Sequence, residues 1–223
     1  MSDNKVFYLK NNRLFSGVMD DRVDATAHIF TTVLYPAKTA IFEQGDPTRL
    51  VYLVKRGNVR ISRLTPDGKE ITVAILGAGD IFGEETLFSK GERTTVATTV
   101  GETLLCTARA DDLFELLSKD PELALNVAKL VHDRLNDASA TIEDLAYARV
   151  ADRLLHLFER LAAEHGVETS EGTKIDVRLT HADLASLIGS TRETVTVELT
   201  HLVREGRIRN DHGTFTLLRK ERT

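Results

Sequence analysis

A chain of 223 residues, 42% hydrophobic and 28% charged, is long enough to bury a core in one or two domains and too apolar to remain disordered. Its formal net charge of −5 argues against a general polyanion binder, and the single cysteine, Cys106, rules out an internal disulfide framework or an all-cysteine iron–sulfur site. The N-terminal MSDNKVFYLKNNRLF lacks a signal-peptide core, and no apolar run of membrane-spanning length follows, so a cytoplasmic protein without membrane association is expected.

Residues 29–108 read as strands. The runs VYLVKRGNVRISRL, KEITVAIL and TTVATTV are rich in β-branched residues. Turn signals break them at Gly45-Asp46-Pro47, Arg56-Gly57-Asn58, Pro66-Asp67-Gly68 and Gly77-Ala78-Gly79-Asp80. Short strands at this spacing predict an all-β roll. Cys106, in the apolar run TLLC, is expected to be a buried structural thiol.

Within this region the stretch GDIFGEETLFSKGERTT has two readings. A buried cyclic phosphodiester would need what it offers. Gly83 precedes a short helical turn whose backbone N–H groups, around Glu84, Glu85, Thr86 and Leu87, can cradle a phosphate. Arg93 supplies a forked charge, Thr94 a hydroxyl, and Glu84 an acceptor for a ribose 2′-OH. The other reading is an ordinary turn of the roll carrying a surface Glu–Arg pair, worth under about 1 kcal/mol.

The period then changes to helical. Asp111 is the expected N-cap of DLFELLSK, and Asp120-Pro121 opens a second helix. Along it Ala124, Ala128, Val131, Leu135, Ala138, Ile142 and Leu145 step alternately by four and three, the a/d seam of a helix that pairs with an identical partner. A parallel homodimer is therefore expected. A further helix follows Arg149, with Leu154, Leu155, Phe158 and Leu161 apolar, and then a polar loop over 166–176.

The segment LTHADLASLIGSTRETVTVELTHLVREGRI contains two short helices joined at Gly189. Thr180 caps the first, which begins at His181, with Leu184, Leu187 and Ile188 inward. Ser190 or Thr191 caps the second, with Val195, Leu199, Leu202 and Val203 facing the core. Such a pair is a helix-turn-helix whose second helix reads the DNA major groove. Arg192 suits a guanine edge and Glu193 a cytosine amino group, while Thr191, Thr194, Thr196 and the helix start suit phosphates. RIRNDHGTFTLLRK, two short strands about a turn, reads as a wing. An ordinary helical hairpin with a solvated Arg-Glu pair is the competing reading. No HExxH, GxSxG, P-loop or CxxC motif occurs, so no enzyme is expected. The seven histidines, His28, His132, His156, His165, His181, His201 and His212, are scattered singly and suggest no haem or metal site.

These blocks resemble the cyclic-AMP receptor protein family, with its fumarate-and-nitrate-reduction and nitrogen-control relatives. The resemblance spans nearly the whole chain: β-roll, long helix, winged helix. STRETV…L…L…EG.I is similar to the family's recognition helix, and residues 79–95 look like its phosphate-binding cassette. It implies nucleotide contacts for Gly83, Glu84, Arg93 and Thr94, and for Arg134 and Ser139 on the long helix. It further implies a double-stranded palindromic operator, a homodimer and contact of the 166–176 region with RNA polymerase. Two departures stand out. Val197 takes the place of the family's second base-reading arginine, and Ala138 that of a threonine that bonds the adenine. The apolar valine could meet a thymine methyl.

The expected fold is thus α+β: a cyclic-nucleotide-binding-type β-roll (jelly roll) over 1–120, a dimerisation helix over 121–148 and a winged helix-turn-helix over 149–223. The expected function is a dimeric DNA-binding transcriptional regulator controlled by cyclic AMP or a related nucleotide, with no covalent cofactor. A ligand-independent regulator of the same family, and a nucleotide-binding module acting through protein contacts, are the alternatives.

Overall fold

The computed structural model describes residues 5–89 and 91–219. Lys90 of the cassette, Lys220 of the wing and the extreme ends of the first and last expected domains lie outside them. The chain forms two compact units, Met1–Glu70 with Ala74–Asn136, and Ile71–Val73 with Asp137–Thr223.

The first unit opens with two short helices that the sequence reading leaves unassigned, α1 (Lys5–Lys10) and α2 (Asp20–Thr26). Strands β1 (Thr31–Tyr35), β2 (Ala40–Phe42), β3 (Leu50–Arg56), β4 (Val59–Leu64), β5 (Glu70–Leu76) and β6 (Ile81–Phe82) follow. After the four-residue helix α3 (Glu85–Phe88) come β7 (Val96–Thr99), β8 (Thr103–Arg109) and α4 (Ala110–Lys119). The strands build two four-stranded sheets of order β1-β8-β3-β6 and β2-β7-β4-β5. Every recorded pair is antiparallel.

The central strands β3 and β8 of the first sheet are buried on both faces, which is why VYLV reads as an unbroken apolar run. Side chains alternate along a strand. Val51 and Leu53 therefore join Ile81, Cys106 and Ala108 in a cluster shared with Leu9, Phe15, Val23, Leu113 and Leu123 of the helical segments. Tyr52 and Val54 point the other way and meet Phe42, Val59, Phe82, Ala97 and Leu105 between the sheets. Cys106 is fully buried in the first cluster, as its apolar neighbours suggest.

Two capping expectations divide. Asp120 does cap helix α5 (Pro121–Tyr147), its Oδ1 accepting from the Glu122 and Leu123 amides. Asp111 does not cap α4, because the helix starts two residues earlier, at Ala110, with Arg109 at the N-cap. The Asp111 carboxylate instead accepts from Arg49 Nη1 at 2.7 Å.

In the second unit α6 (Val150–His165) is followed by β9 (Gly166–Glu168) and β10 (Gly172–Arg178), so the expected loop over 166–176 is a hairpin. Its polar strands disguise it: β9 is exposed throughout, while in β10 only Gly172, Ile175 and Val177 are buried. Helices α7 (His181–Leu187) and α8 (Arg192–Arg204) come next. Strands β11 (Ile208–Asp211) and β12 (Thr214–Leu218) complete a sheet of order β11-β12-β10-β9. The core gathers Leu154, Leu155, Leu157, Phe158, Leu161, Leu184, Val195, Leu199 and Phe215, with the Phe158 and Phe215 rings 4.9 Å apart. Val203, expected inward, is 43% exposed, since α8 turns its last apolar residue outward beyond Leu202.

Candidate functional site

Gly83 ends β6 with φ +77°, a conformation that favours glycine. A Cβ there would lie 2.8 Å from the Leu50 carbonyl oxygen and 2.9 Å from Arg93 Nη1. The sharp turn starts α3 at once, and the Thr86 hydroxyl donates back to the Gly83 carbonyl at 2.9 Å. The buried Thr86 side chain is thus spent on the turn itself.

Arg93 has no exposed side-chain surface. Its Nη1 donates to the Gly83 carbonyl at 3.1 Å and to Glu85 Oε1 at 2.9 Å, and Nη2 donates to the Leu50 carbonyl. The guanidinium stacks 4.1 Å from the centre of the Phe42 ring, and Phe42, Tyr52 and Phe82 pack together beneath it. Burial pushes the Tyr52 hydroxyl up to about 12, although Arg93 pulls it down. Arg93 is thus a cation held in an aromatic, low-dielectric floor.

Glu84 turns its carboxylate toward Arg134 of α5, whose other Nη group donates to the Ile81 carbonyl. Burial raises the Glu84 carboxyl above its ordinary value, against the pull of Arg134. Arg49 adds a brace, donating from Nη2 to the Thr86 carbonyl at 3.1 Å.

Gly83, Glu84, Glu85, Thr86, Arg93 and Arg134 therefore come together in one cluster, with Thr94 exposed beside it. Ser139 lies further along α5, exposed, in the segment assigned to the second unit. Sequence reasoning missed Leu50 and Ile81, which act through backbone carbonyls and leave no residue-type signal. It also missed Phe42, Tyr52 and Phe82. Their alternation into the roll's interior was the available clue. The cluster can hold an anion against Arg93 and a hydroxyl-bearing group against Glu84.

In the second unit, Thr180 accepts from the Asp183 amide while Asp183 accepts from the Thr180 amide, a complete capping box on α7. Thr191, rather than Ser190, caps α8, accepting from the Thr194 amide at 3.2 Å. Gly189 makes the turn with φ +60°. The start of α8 presents Thr191, Arg192, Glu193, Thr196 and Val197 to solvent, with Thr194 half-buried. His181 Nδ1 lies 2.8 Å from the Thr196 hydroxyl, joining the two helices on that exposed side. The wing turn at His212-Gly213 follows. Among the described residues no group of three or more His, Cys, Asp or Glu could hold a metal ion, and no helix could cross a membrane.

Residues 32–120 match the family model of the cyclic nucleotide-binding domain, and residues 148–222 that of the Crp-like helix-turn-helix domain. The chain is 34% identical to a cyclic AMP receptor protein of Thermus thermophilus over 92% of each chain. It is also 34% identical to the global nitrogen regulator of a Nostoc species, over 70% of this chain and 71% of the relative. A solved c-di-GMP-responsive global regulator from Xanthomonas campestris superposes with a TM-score of 0.74 at 25% identity, covering 91% of this chain and all of that one. With a nucleotide-binding roll, a long helix and a winged helix-turn-helix in this order, the chain belongs to the CRP/FNR family of transcriptional regulators.

Proposed function

We propose that this regulator works as a homodimer that binds a palindromic operator when a cyclic nucleotide, with cyclic AMP the first choice, occupies the Gly83–Arg93 cluster. The observation that carries the reading is the buried Arg93 guanidinium, fixed by the Gly83 and Leu50 carbonyls on an aromatic floor. A cation buried this completely favours anions, and a phosphate would take the place of its partly exposed internal partner, Glu85. Glu84 stands next to it as an acceptor for a ribose hydroxyl, and the Thr94 hydroxyl is accessible.

All seven seam residues of α5, from Ala124 to Leu145, are exposed in the single chain, which supports pairing of two copies along this helix. Pairing would set two α8 helices about one DNA turn apart, about 34 Å, on a two-fold site. There Arg192 and Glu193 would read bases, and Thr180, His181, Ser190, Thr191, Thr194 and Thr196 would meet the backbone. Effector binding would act by favouring one packing of the seam, and only through its preference for that packing. The β9–β10 hairpin is the surface offered to RNA polymerase, and the protein acts in the cytoplasm.

Titration calorimetry of cyclic AMP into the protein, with Arg93→Ala as control, tests the reading. Micromolar binding that the variant loses supports it. Absence of heat at several temperatures, together with operator binding by the bare protein, replaces it with a ligand-independent regulator. The internal partners that Arg93 already has favour that second reading.

A further inference from the structure

We propose that Glu85 is an internal counter-ion for Arg93, occupying the guanidinium in the free protein and competing with any phosphate-bearing effector for it. The inference deepens the reading of Arg93 as the anion-holding group and rests on it.

Beside the Tyr52 hydroxyl, Arg93 has three acceptors that differ in kind. Two are backbone carbonyls, Gly83 and Leu50, fixed by the turn and by β3, and they orient the group without neutralising it. The third is the Glu85 carboxylate at 2.9 Å, on a side chain that is 36% exposed while that of Arg93 is 0% exposed. A charge buried against carbonyls and a ring alone would be uncompensated, so the free protein needs this carboxylate. Its partial exposure lets it leave for water when a stronger anion arrives.

The other acids nearby make their hydrogen bonds elsewhere, although both add to the field at Arg93. Glu84 pairs with Arg134, and the Asp46 carboxylate accepts from the Thr48 amide. Neighbouring glutamates thus divide their work, Glu84 toward α5 and Glu85 toward the roll's interior. The match between Glu85 and Arg93 is also incomplete. Arg93 Nε is buried and has no acceptor among the described residues. Glu85 brings a single oxygen to the guanidinium, whereas a phosphodiester can offer it two non-bridging oxygens that share one negative charge. Exchange of carboxylate for phosphate conserves charge and adds an acceptor, so Glu85 lowers the affinity of the site while leaving its selectivity for anions intact.

The test compares the full-length protein, Glu85→Gln, and Glu92→Gln, which removes the same charge from an exposed position nearby. Melting is followed in inorganic phosphate against chloride at matched ionic strength. The counter-ion predicts a phosphate-dependent rise of about 2–4 °C in Glu85→Gln, the shift that about fivefold stronger phosphate stabilisation gives a chain of this size, beyond that of the other two proteins. Equal phosphate responses in all three overturn it. Cyclic AMP titrations of the same proteins decide the nucleotide reading separately, with binding expected about five- to tenfold tighter in Glu85→Gln. Cyclic AMP binding without any phosphate difference sinks the counter-ion and leaves the nucleotide reading standing. A phosphate difference in proteins that do not bind cyclic AMP does the reverse.

Discussion

Arg93 and Gly83 hold one another in place: Nη1 donates to the Gly83 carbonyl at 3.1 Å, and a Cβ on Gly83 would stand 2.9 Å from that same nitrogen. The Leu50 carbonyl closes the other side at 2.8 Å, so the added methyl has no direction in which to relax. Gly83→Ala is expected to lose about 1–3 kcal/mol of stability through the left-handed backbone alone, with the clash added. Urea denaturation reads the loss. Nucleotide binding should fall with it, because the displaced guanidinium no longer faces the cradle.

Gly189 poses the same question in the other unit with a softer neighbour. A Cβ there would meet Leu145 Cδ2 at 2.6 Å, the far end of a flexible side chain. Arg153 also braces this turn, donating from Nη1 to the Ile188 carbonyl at 2.9 Å. Gly189→Ala should therefore cost about 1–2 kcal/mol for the left-handed residue, plus a part that Leu145 can relieve. The double variant with Leu145→Ala should be less destabilised than the sum of the two single variants. Strict additivity in a denaturation cycle would refute the contact.

Leu145 also shows where sequence reading stops. The heptad places it on the seam, and it is exposed there, yet it reaches the helix-turn-helix glycine, a contact that periodicity does not encode. The elements that announce themselves are those whose burial has a period or whose turn demands a residue type: α5, the α7–Gly189–α8 turn and the strands around Tyr52. The hairpin over 166–178 stayed hidden because few of its side chains are buried, so its pairing rests on backbone bonds. The cassette was legible in part. Arg93 and Gly83 carry type and spacing, whereas the carbonyls of Leu50 and Ile81 do not. That Glu85 turns toward Arg93 and Glu84 toward Arg134 depends on which way a four-residue helix faces, and adjacent identical residues give no sign of it.

Glu84 gives the fold a pH signature. Burial lifts its carboxyl above the ordinary 4.5, so the folded chain keeps this proton where the unfolded chain has released it. Stability contributed by Glu84 is then full below 4.5 and declines as pH rises through the raised value. Asp120 runs the opposite way. Burial acts upward on it, yet Arg22 and the Leu123 amide hold it below its ordinary 3.8, so its contribution is lost only in stronger acid. Comparison with Glu84→Gln cancels Asp120. The difference in unfolding free energy, wild type minus variant, should fall as pH climbs from 4.5 and then level off. A rising difference in urea titrations at stepped pH would contradict the burial argument.

The seam can be tested without touching the chain's own core. Leu135 is 63% exposed and Ile142 is 68% exposed, one heptad apart on α5. Each would bury about 1.5–3 kcal/mol of apolar side chain in a paired helix, and a glutamate there would instead face its own copy. Leu135→Glu with Ile142→Glu should sediment as a folded monomer with unchanged far-ultraviolet dichroism. A dimer of undiminished affinity would move the pairing surface elsewhere.

Val197 is the position at which the DNA interface of this chain can be re-specified. It is 53% exposed, one turn beyond Glu193, on the face that also carries Arg192 and Thr196. An isopropyl group has no hydrogen-bond capacity, so at a base pair in its reach it would discriminate only by apolar contact with a thymine methyl. Val197→Arg would place a bidentate donor there, worth about 1–3 kcal/mol toward guanine over other bases. Because the side chain projects into solvent, the substitution leaves α8 packed through Val195 and Leu199. Selection from randomised operators should then yield a guanine at one added symmetric position in each half-site. The remaining positions, including those proposed for Arg192 and Glu193, should stay as they are in the parent. A consensus that shifts at every position would mean that α8 docks in a different register, and one that shifts nowhere would mean that residue 197 does not reach the bases.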